Sequence, residues 1–512
     1  MGFKSIALKL PTNFTEEQLR GKIAKTLHIK NFSFLVQSQS LDARKKANIF
    51  WQLSVAVNSP EIKGDDLPAT KKLEIAFKKR DEQIVVVGSG PAGFFAALVL
   101  QQAGFHVTLI ERGSDVGKRG KSILAFEKTG NFDGQNNYAF GEGGAGTFSD
   151  GKLTSRSKRI SVEKQFIIDS YIRAGAPKEI AYLAHPHLGT DNLKKIVKNL
   201  RLEFEALGGK MLFETLLQDI IIKNSKVAEI VTSKGIFKAD ALFVAPGHSA
   251  YETYRMLMRR GVQFRTKNFA IGSRMEHRQE IINRAQWGRE KLPGVKAAEY
   301  RLTSPADGKH QVFSFCMCPG GMVVPAAAYR ETNIVNGMSY YNRGGNFANA
   351  ACVAAIHPDE LAGKTVSPTE ALENLEKLER TFYQINQNYT APACSVQSFL
   401  NQQLKHNTLE SSYPLGLTSL PLWKFLPQPV VQSMQEGLKD FIRKMRGFET
   451  GNLLGLESKT SAPVQVVREK DGCCTGFENL FVVGEGSGYA GGIISSGADG
   501  IKGALAHIAK KQ

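Results

Sequence analysis

Two short runs of this 512-residue chain carry residue types that do chemistry at close spacing. In FSFCMCPGG, residues 313 to 321, Cys316 and Cys318 flank Met317 ahead of a Pro-Gly-Gly triplet. A cysteine pair can be a redox couple or half of a metal site. On a regular strand the two would share one face with Met317 opposite, about 6.6 Å apart over two residues of rise. A disulfide needs Cβ atoms about 4 Å apart, so regular geometry argues against one. Cys352, His357 and Cys394 lie in the same region, but their spacing fits neither zinc nor iron–sulfur patterns, so no metal is expected. What remains is a tight turn at Pro319, Gly320 and Gly321, whose missing side chains would let a ligand approach. Cys473 and Cys474 read as a surface turn.

The second run is HPHLGTD, residues 185 to 191, where two histidines flank a proline whose fixed φ holds them in an extended loop. His187 is the candidate for proton handling; the plainer role is to tie the loop to its neighbours. Arg274, Glu276 and His277 in GSRMEHR suit an anionic substrate, although a salt-bridged strand is the favoured reading. Thr147, Ser149, Asp150 and Lys152 in GTFSDGKL are placed to contact phosphate or the edge of a cofactor.

These groups need elements to position them. Residues 84 to 111, IVVVGSGPAGFFAALVLQQAGFHVTLIE, read as strand, glycine turn, helix and second strand. Gly88 permits a tight turn, Gly90 lets backbone approach a pyrophosphate, and Gly93 lets the helix pack on the strand. The helix N-terminus, with Pro91 and Ala92, offers free N–H groups to phosphate. Glu111, ending the second strand, is placed for a ribose diol and repels a 2′-phosphate, which favours FAD or NAD over NADP. The same glycine pattern recurs at Gly141, Gly143 and Gly146 and at Gly486, Gly488 and Gly491, without the flanking strand–helix–strand context.

The chain's last segment, NLFVVGEGSGYAGGIISSGADGIKGALAHIAKK, resembles the final strand and helix of flavoproteins with a glutathione-reductase-type FAD domain. Glu485 stands where that group carries Asp, and in ALFVAPGHSAYETY Pro246 replaces Thr. From about residue 84 to its end the chain resembles a family of FAD-dependent dehydrogenases with no assigned substrate. The runs carrying the resemblance are GEGGAGTFSDGKL, HPHLGTDNL, FCMCPGG, NGMSYYNRGG, ESKTSAPV and GEGSGYAGGI. It implies tightly held FAD, contacted by Gly88, Gly90, Pro91, Ala92, Gly93, Glu111, Arg112, Gly144, Gly146, Thr147 and Ser149. Gly247, Gly484, Glu485, Gly491, Gly492 and Ile493 complete the implied set. It also suggests that Cys318 lines the ring face.

The expected architecture is α/β: a Rossmann-like FAD-binding domain, residues 81–265 and 450–512, interrupted by a mixed α+β substrate or cap domain, residues 266–449. A small basic α+β domain, residues 1–70, precedes it, ending in the linker EIKGDDLPAT. Thr15 with Gln18 forms a capping box for a helix running to about Leu27, and a second helix is expected from Pro368 to Gln387. Net charge is +18, and residues 1–80 hold 15 Lys/Arg against 7 Asp/Glu, or +8. That asymmetry suggests an acidic electron-carrier protein as partner, or simply a solvated face. The opening residues lack the apolar run of a secretory signal, and six cysteines are too few for a disulfide framework, so a cytoplasmic protein is expected. The expected activity is an FAD-dependent oxidoreductase transferring hydride to or from a small substrate, with NAD(P)H binding transiently at most. The rivals are a flavoprotein acting on RNA, for which no recognition motif stands in the sequence, and a non-catalytic flavin-binding module.

Overall fold

The structure, a computed structural model, describes residues 2–65, 68, 71–405 and 408–511. Part of the expected linker, residues 66, 67, 69 and 70, lies outside the described residues. At the N-terminus, strands Gly2–Leu10, Ser33–Asp42 and Phe50–Ser59 form an antiparallel sheet with the third strand central. Helix Glu16–Leu27 covers it, opened by the Thr15–Gln18 capping box. Leu8, Leu19, Ile23, Leu53, Val55 and Val57 fill the space between them.

A five-stranded parallel sheet follows, in the order Leu480–Val482, Ala241–Val244, Gln83–Val87, His106–Ile110, Lys210–Leu212. Its strands are mostly apolar because both faces are covered, one by helices and the other largely by the antiparallel sheet Leu217–Lys223, Lys226–Thr232 and Gly235–Lys238; Ile84, Val85 and Val86 are all buried. One covering helix, Pro91–Gln102, is buried from Ala92 to Leu100. The C-terminal helix, Ile493–Lys510, crosses it so closely that a Cβ on Gly500 would lie 2.0 Å from the Ala92 carbonyl oxygen. Gly484, entering the same contact, would put a Cβ 2.4 Å from that of Ala92. Both helices therefore start at the carboxyl end of the sheet, where ligands of such folds bind.

Between these strands runs a larger, mostly antiparallel sheet. Its order is Thr303–Ser304, Val312–Pro325, Phe347–Ile356, Phe269–Arg278, Asn452–Glu457, Ala391–Ser395 and Leu417–Ser419, with Val335–Met338 paired to the second. The central strand FANAACVAAI is packed on both faces, which is why small residues fill it. Helix Gln428–Lys444 lies across it, and Gly437 admits Val312, which a Cβ would meet at 2.6 Å. Helix Pro368–Gln384 has the capping box Ser367–Glu370 and stops short of the expected Gln387, where φ is +51°.

At its cysteine runs the chain departs from the expected structure. The strand Val312–Pro325 does not end at Pro319–Gly321 but runs through it. Its pairing steps from Phe315↔Ala351 to Cys318↔Asn349 to Gly321↔Phe347, three residues advancing against two, twice over. These are β-bulges, and Cys316 sits in the first with φ +44°. Regular strand spacing therefore does not apply to Cys316 and Cys318. Gly320 and Gly321 are pressed against protein, not open to a ligand: added Cβ atoms would lie 1.8 Å from the Arg343 carbonyl oxygen and 2.3 Å from that of Met338. Cys473 and Cys474 are buried beneath the strand Leu480–Val482, not on the surface. Among the described residues no helix is long and apolar enough to cross a membrane.

A Cβ on Gly93 would come within 1.9 Å of the Gly88 carbonyl oxygen, whereas nothing lies within 4 Å of one on Gly491. Gly93→Ala is therefore expected to destabilise by about 1–3 kcal/mol through overpacking, and Gly491→Ala by less than about 0.5. Thermal melts of the two variants would check this; equal midpoints would contradict the close approach.

Candidate functional site

The glycine turn after strand Gln83–Val87 is forced by its surroundings. Gly88 has φ +93°, and a Cβ there would meet the Ala245 carbonyl oxygen at 2.3 Å. Gly90 opens the next helix without a side-chain cap, and Pro91 at the first helical position has no N–H to satisfy. The amide hydrogens of the first turn are left for an anion. Gly144, with φ +67°, crosses Gly90 closely; its Cβ would lie 3.0 Å from the Gly90 Cα.

Glu111, expected to meet a ribose, is already well occupied. Its carboxylate accepts from Ser89 N at 3.0 Å and Oγ at 2.7 Å, from Gly113 N at 3.0 Å and from Gly141 N at 3.1 Å. It locks the glycine turn to the 141–147 loop. Arg112 pairs with Glu252 and lies 3.8 Å over the Phe140 ring. Thr147 donates to the Glu142 carbonyl at 3.3 Å and Ser149 to that of Gly146 at 2.6 Å. The buried Arg119, absent from the expected set, donates to the carbonyls of Asn137, Tyr138, Gly141, Glu142 and Gly144, so one guanidinium shapes this whole loop.

At the C-terminal helix, Gly492 is the N-cap with φ +82° and no capping side chain. Added Cβ atoms on Gly247, Gly491 and Gly492 would meet nothing within 4 Å. Nearby Glu485 is pushed up to about 8, because burial outweighs the attraction of Lys267 and is reinforced by the negative charge of Cys316. Lys267 is turned to the Gly488 carbonyl, 2.8 Å away, and among the described residues no donor reaches the Glu485 carboxyl. A largely apolar cavity bordered by Ser89, Pro91, Phe94, Gly146, Val197 and Ile493 reaches from the glycine turn to the first residue of this helix. Two uncapped helix starts, an open glycine cradle and a half-buried carboxyl without a donor fit an elongated dinucleotide.

The insertion brings its own groups to this corner. Arg274 is fully buried and pairs with Glu457 at 3.2 Å. It also donates to Asn349 Oδ1 at 2.9 Å, the Cys316 carbonyl at 2.7 Å and Cys318 Sγ at 3.4 Å. Glu276 accepts from Ser412, and His277 Nε2 lies 2.9 Å from the Phe448 carbonyl, so neither faces a substrate. Asp150 is buried in a bidentate pair with Arg343, at 3.1 and 2.7 Å, and Arg343 in turn approaches Glu299. His187 Nε2 lies 3.0 Å from the Tyr341 carbonyl, its ring stacked on Tyr341; burial holds it down at about 4, hence neutral. The exposed His185 pairs with Glu299 at 2.9 Å. The ESKTSAPV run supplies buried Lys459, paired with Glu379 at 2.8 Å and bonded to Tyr251.

Residues 268–460 match the family described as FAD-dependent protein, C-terminal domain-like, and residues 86–144 match the NAD(P)-binding Rossmann-like domain. An uncharacterized protein of Clostridium beijerinckii is 39% identical over 515 residues, covering 96% of each chain. Among solved structures, glycine oxidase from Bacillus cereus is 13% identical with a TM-score of 0.32, covering 84% of this chain and 96% of that one. The flavin-dependent brominase Bmp2 is 11% identical with a TM-score of 0.36, covering 85% and 80%. Likeness at that level describes neither site nor reaction.

Four histidines, the buried His187, His277 and His507 and the half-buried His248, are held down by desolvation to about 4, 4, 4 and 3. Below about 6.5 the unfolded chain takes up protons that the folded chain refuses, so stability falls as pH drops from 6.5 towards 4. Glu457 and Glu485, pushed up to about 7 and 8, act oppositely, their contribution being lost as pH rises from about 4.5 through those values. Thermal midpoints of His277→Gln are expected to fall less steeply between pH 6.5 and 4 than those of the parent; parallel curves would contradict the assignment.

Proposed function

The chain belongs to the family of FAD-dependent proteins, and on that premise we propose that it is an oxidoreductase passing a hydride between its flavin and a small substrate held by the insertion. The observation that carries the reading is Glu485, a half-buried carboxyl without a donor, beside an uncapped helix start and an open glycine cradle. When bound, FAD supplies a two-electron donor and acceptor. The free N–H groups at Pro91–Gln102 and Ile493–Lys510 favour negative charge, on phosphate at the first and on the cofactor's ring at the second. Glu485, at about 8, still holds its proton at neutral pH and would give it to the reacting pair. Lys152, Lys296 and Arg343 line the 150–187–341 side, which suits an anionic substrate; Lys296, pushed down by burial to about 8, lies 3.0 Å over the Tyr341 ring. Electrons would arrive from NAD(P)H bound transiently or from an acidic carrier docked on the basic N-terminal sheet.

Protein purified with FAD supplied is expected to hold one FAD per chain, and anaerobic addition of NADH, NADPH or a reduced carrier protein to bleach the flavin with one of them. Protein that emerges without flavin would end the proposal. In the parent, the rate of flavin reduction or reoxidation should fall as pH rises through about 8, where Glu485 loses its proton. Glu485→Gln should retain FAD and lose that step; an unchanged pH profile would remove Glu485 as the proton donor.

A further inference from the structure

The bulge at Cys316 does something a regular strand cannot. With φ at +44°, a conformation that side chains rarely adopt, Cys316 is folded back at the bulge so that the Cys318 thiol donates to the Cys316 carbonyl, and the two cysteines no longer keep the spacing of a regular strand. Cys318 Sγ lies 3.3 Å from the Cys316 carbonyl and 3.4 Å from Arg274 Nη2, and the same Nη2 donates to that carbonyl at 2.7 Å. The two sulfurs differ in access: Cys316 is partly exposed, Cys318 is fully buried. They differ in charge as well. The neighbouring Cys318 thiol, with Arg274 and Lys152, holds the Cys316 thiol well below its ordinary range against burial and Asp150, while the Cys316 neighbour and burial push Cys318 up. Cys352, Cys394 and Cys474 are pushed up to about 12 by burial and face no such cation cluster. The negative charge of Cys316 also helps to raise Glu457 and Glu485.

We propose that Cys316 and Cys318 are a redox-active dithiol, Cys316 the attacking and Cys318 the resolving sulfur, that carries an electron pair from the flavin to a small disulfide substrate. The Cys316 thiolate attacks one sulfur of the substrate R–S–S–R, forming a Cys316–S–S–R bond and releasing RS⁻. Cys318 gives up its proton, attacks the Cys316 sulfur and releases the second RS⁻, closing the Cys316–Cys318 disulfide. The two leaving thiolates take one proton from Cys318 and one from solvent, so the substrate gains two electrons and the pair loses two. Restoring the dithiol takes two electrons and two protons, and the electron pair is the one the bound flavin carries. This last link rests on the FAD reading above; the thiol chemistry does not. A bridge across one intervening residue is short and strained, and strained disulfides are the readily reduced, catalytic ones.

Full-length, FAD-loaded protein treated with oxidised glutathione, then alkylated and weighed, is expected to have lost two of its six thiols, with the bridge mapping to residues 313–321. Cys318→Ser should stop at a stable glutathione adduct on Cys316, and Cys316→Ser should form neither bridge nor adduct. Both serine variants should keep their flavin absorbance, which separates lost chemistry from lost folding. Six alkylatable thiols after oxidation, or no trapped adduct in Cys318→Ser, would overturn the proposal. Photoreducing the flavin of oxidised protein without oxygen should return both thiols. Bleaching of the flavin without their return would overturn the flavin link while leaving the FAD reading intact.

Discussion

A guanidinium with no access to water sits in the middle of the larger sheet, and much of the molecule is arranged to keep it there. Arg274 cannot give up its charge, so its burial obliges the structure to surround it with acceptors. Glu457 comes from one neighbouring strand, Asn349 from the other, and the Cys316 carbonyl and Cys318 sulfur from a third. Gly337 is a glycine because a Cβ there would lie 2.2 Å from the guanidinium. Removing one partner of such a buried pair costs about 3–5 kcal/mol, enough to hold Cys316 in a backbone conformation it would otherwise avoid. The bulge and the seat of the Cys318 sulfur beside the Cys316 carbonyl are both consequences of satisfying one cation.

The nucleotide side works by the opposite means. There the cations are few and the helix starts are left bare, so that backbone N–H groups and open glycines face the space a ligand would fill. Arg119 and Glu111 act behind that surface, the one gathering five carbonyls and the other four donors, and so they set the shape of loops they do not extend from. The two regimes meet at Glu485, whose carboxyl is raised by burial and by the charge of Cys316 together.

What was legible in the sequence is what depends on near neighbours. The glycine turn at Gly88–Gly93, the capping box at Thr15 and the apolar last strand announce themselves within a few residues. What was hidden depends on partners far along the chain. Asp150 meets Arg343 across 193 positions and Arg274 meets Glu457 across 183, and no periodicity carries that information. Cys316 and Cys318 escape the spacing of a regular strand because their register is set by the strand Phe347–Ile356, against which they slip by one residue. Glu111 illustrates a third case: its position was readable, but not that four protein donors already use it.

The parallel sheet is stitched from the two ends of the chain. Leu242 pairs with Leu480, 238 residues later, so the strand Ala241–Val244 has no outer neighbour until the whole insertion has been made. At a synthesis rate of about 5–20 residues per second, that leaves a fully apolar sheet edge open for roughly 12–48 s on each new chain. An edge of that kind invites pairing with another molecule. A cell making this protein must therefore either fold the insertion quickly enough to bring its two flanks together or shield the edge while it waits, and crowding of nascent chains is the circumstance in which its yield would first suffer.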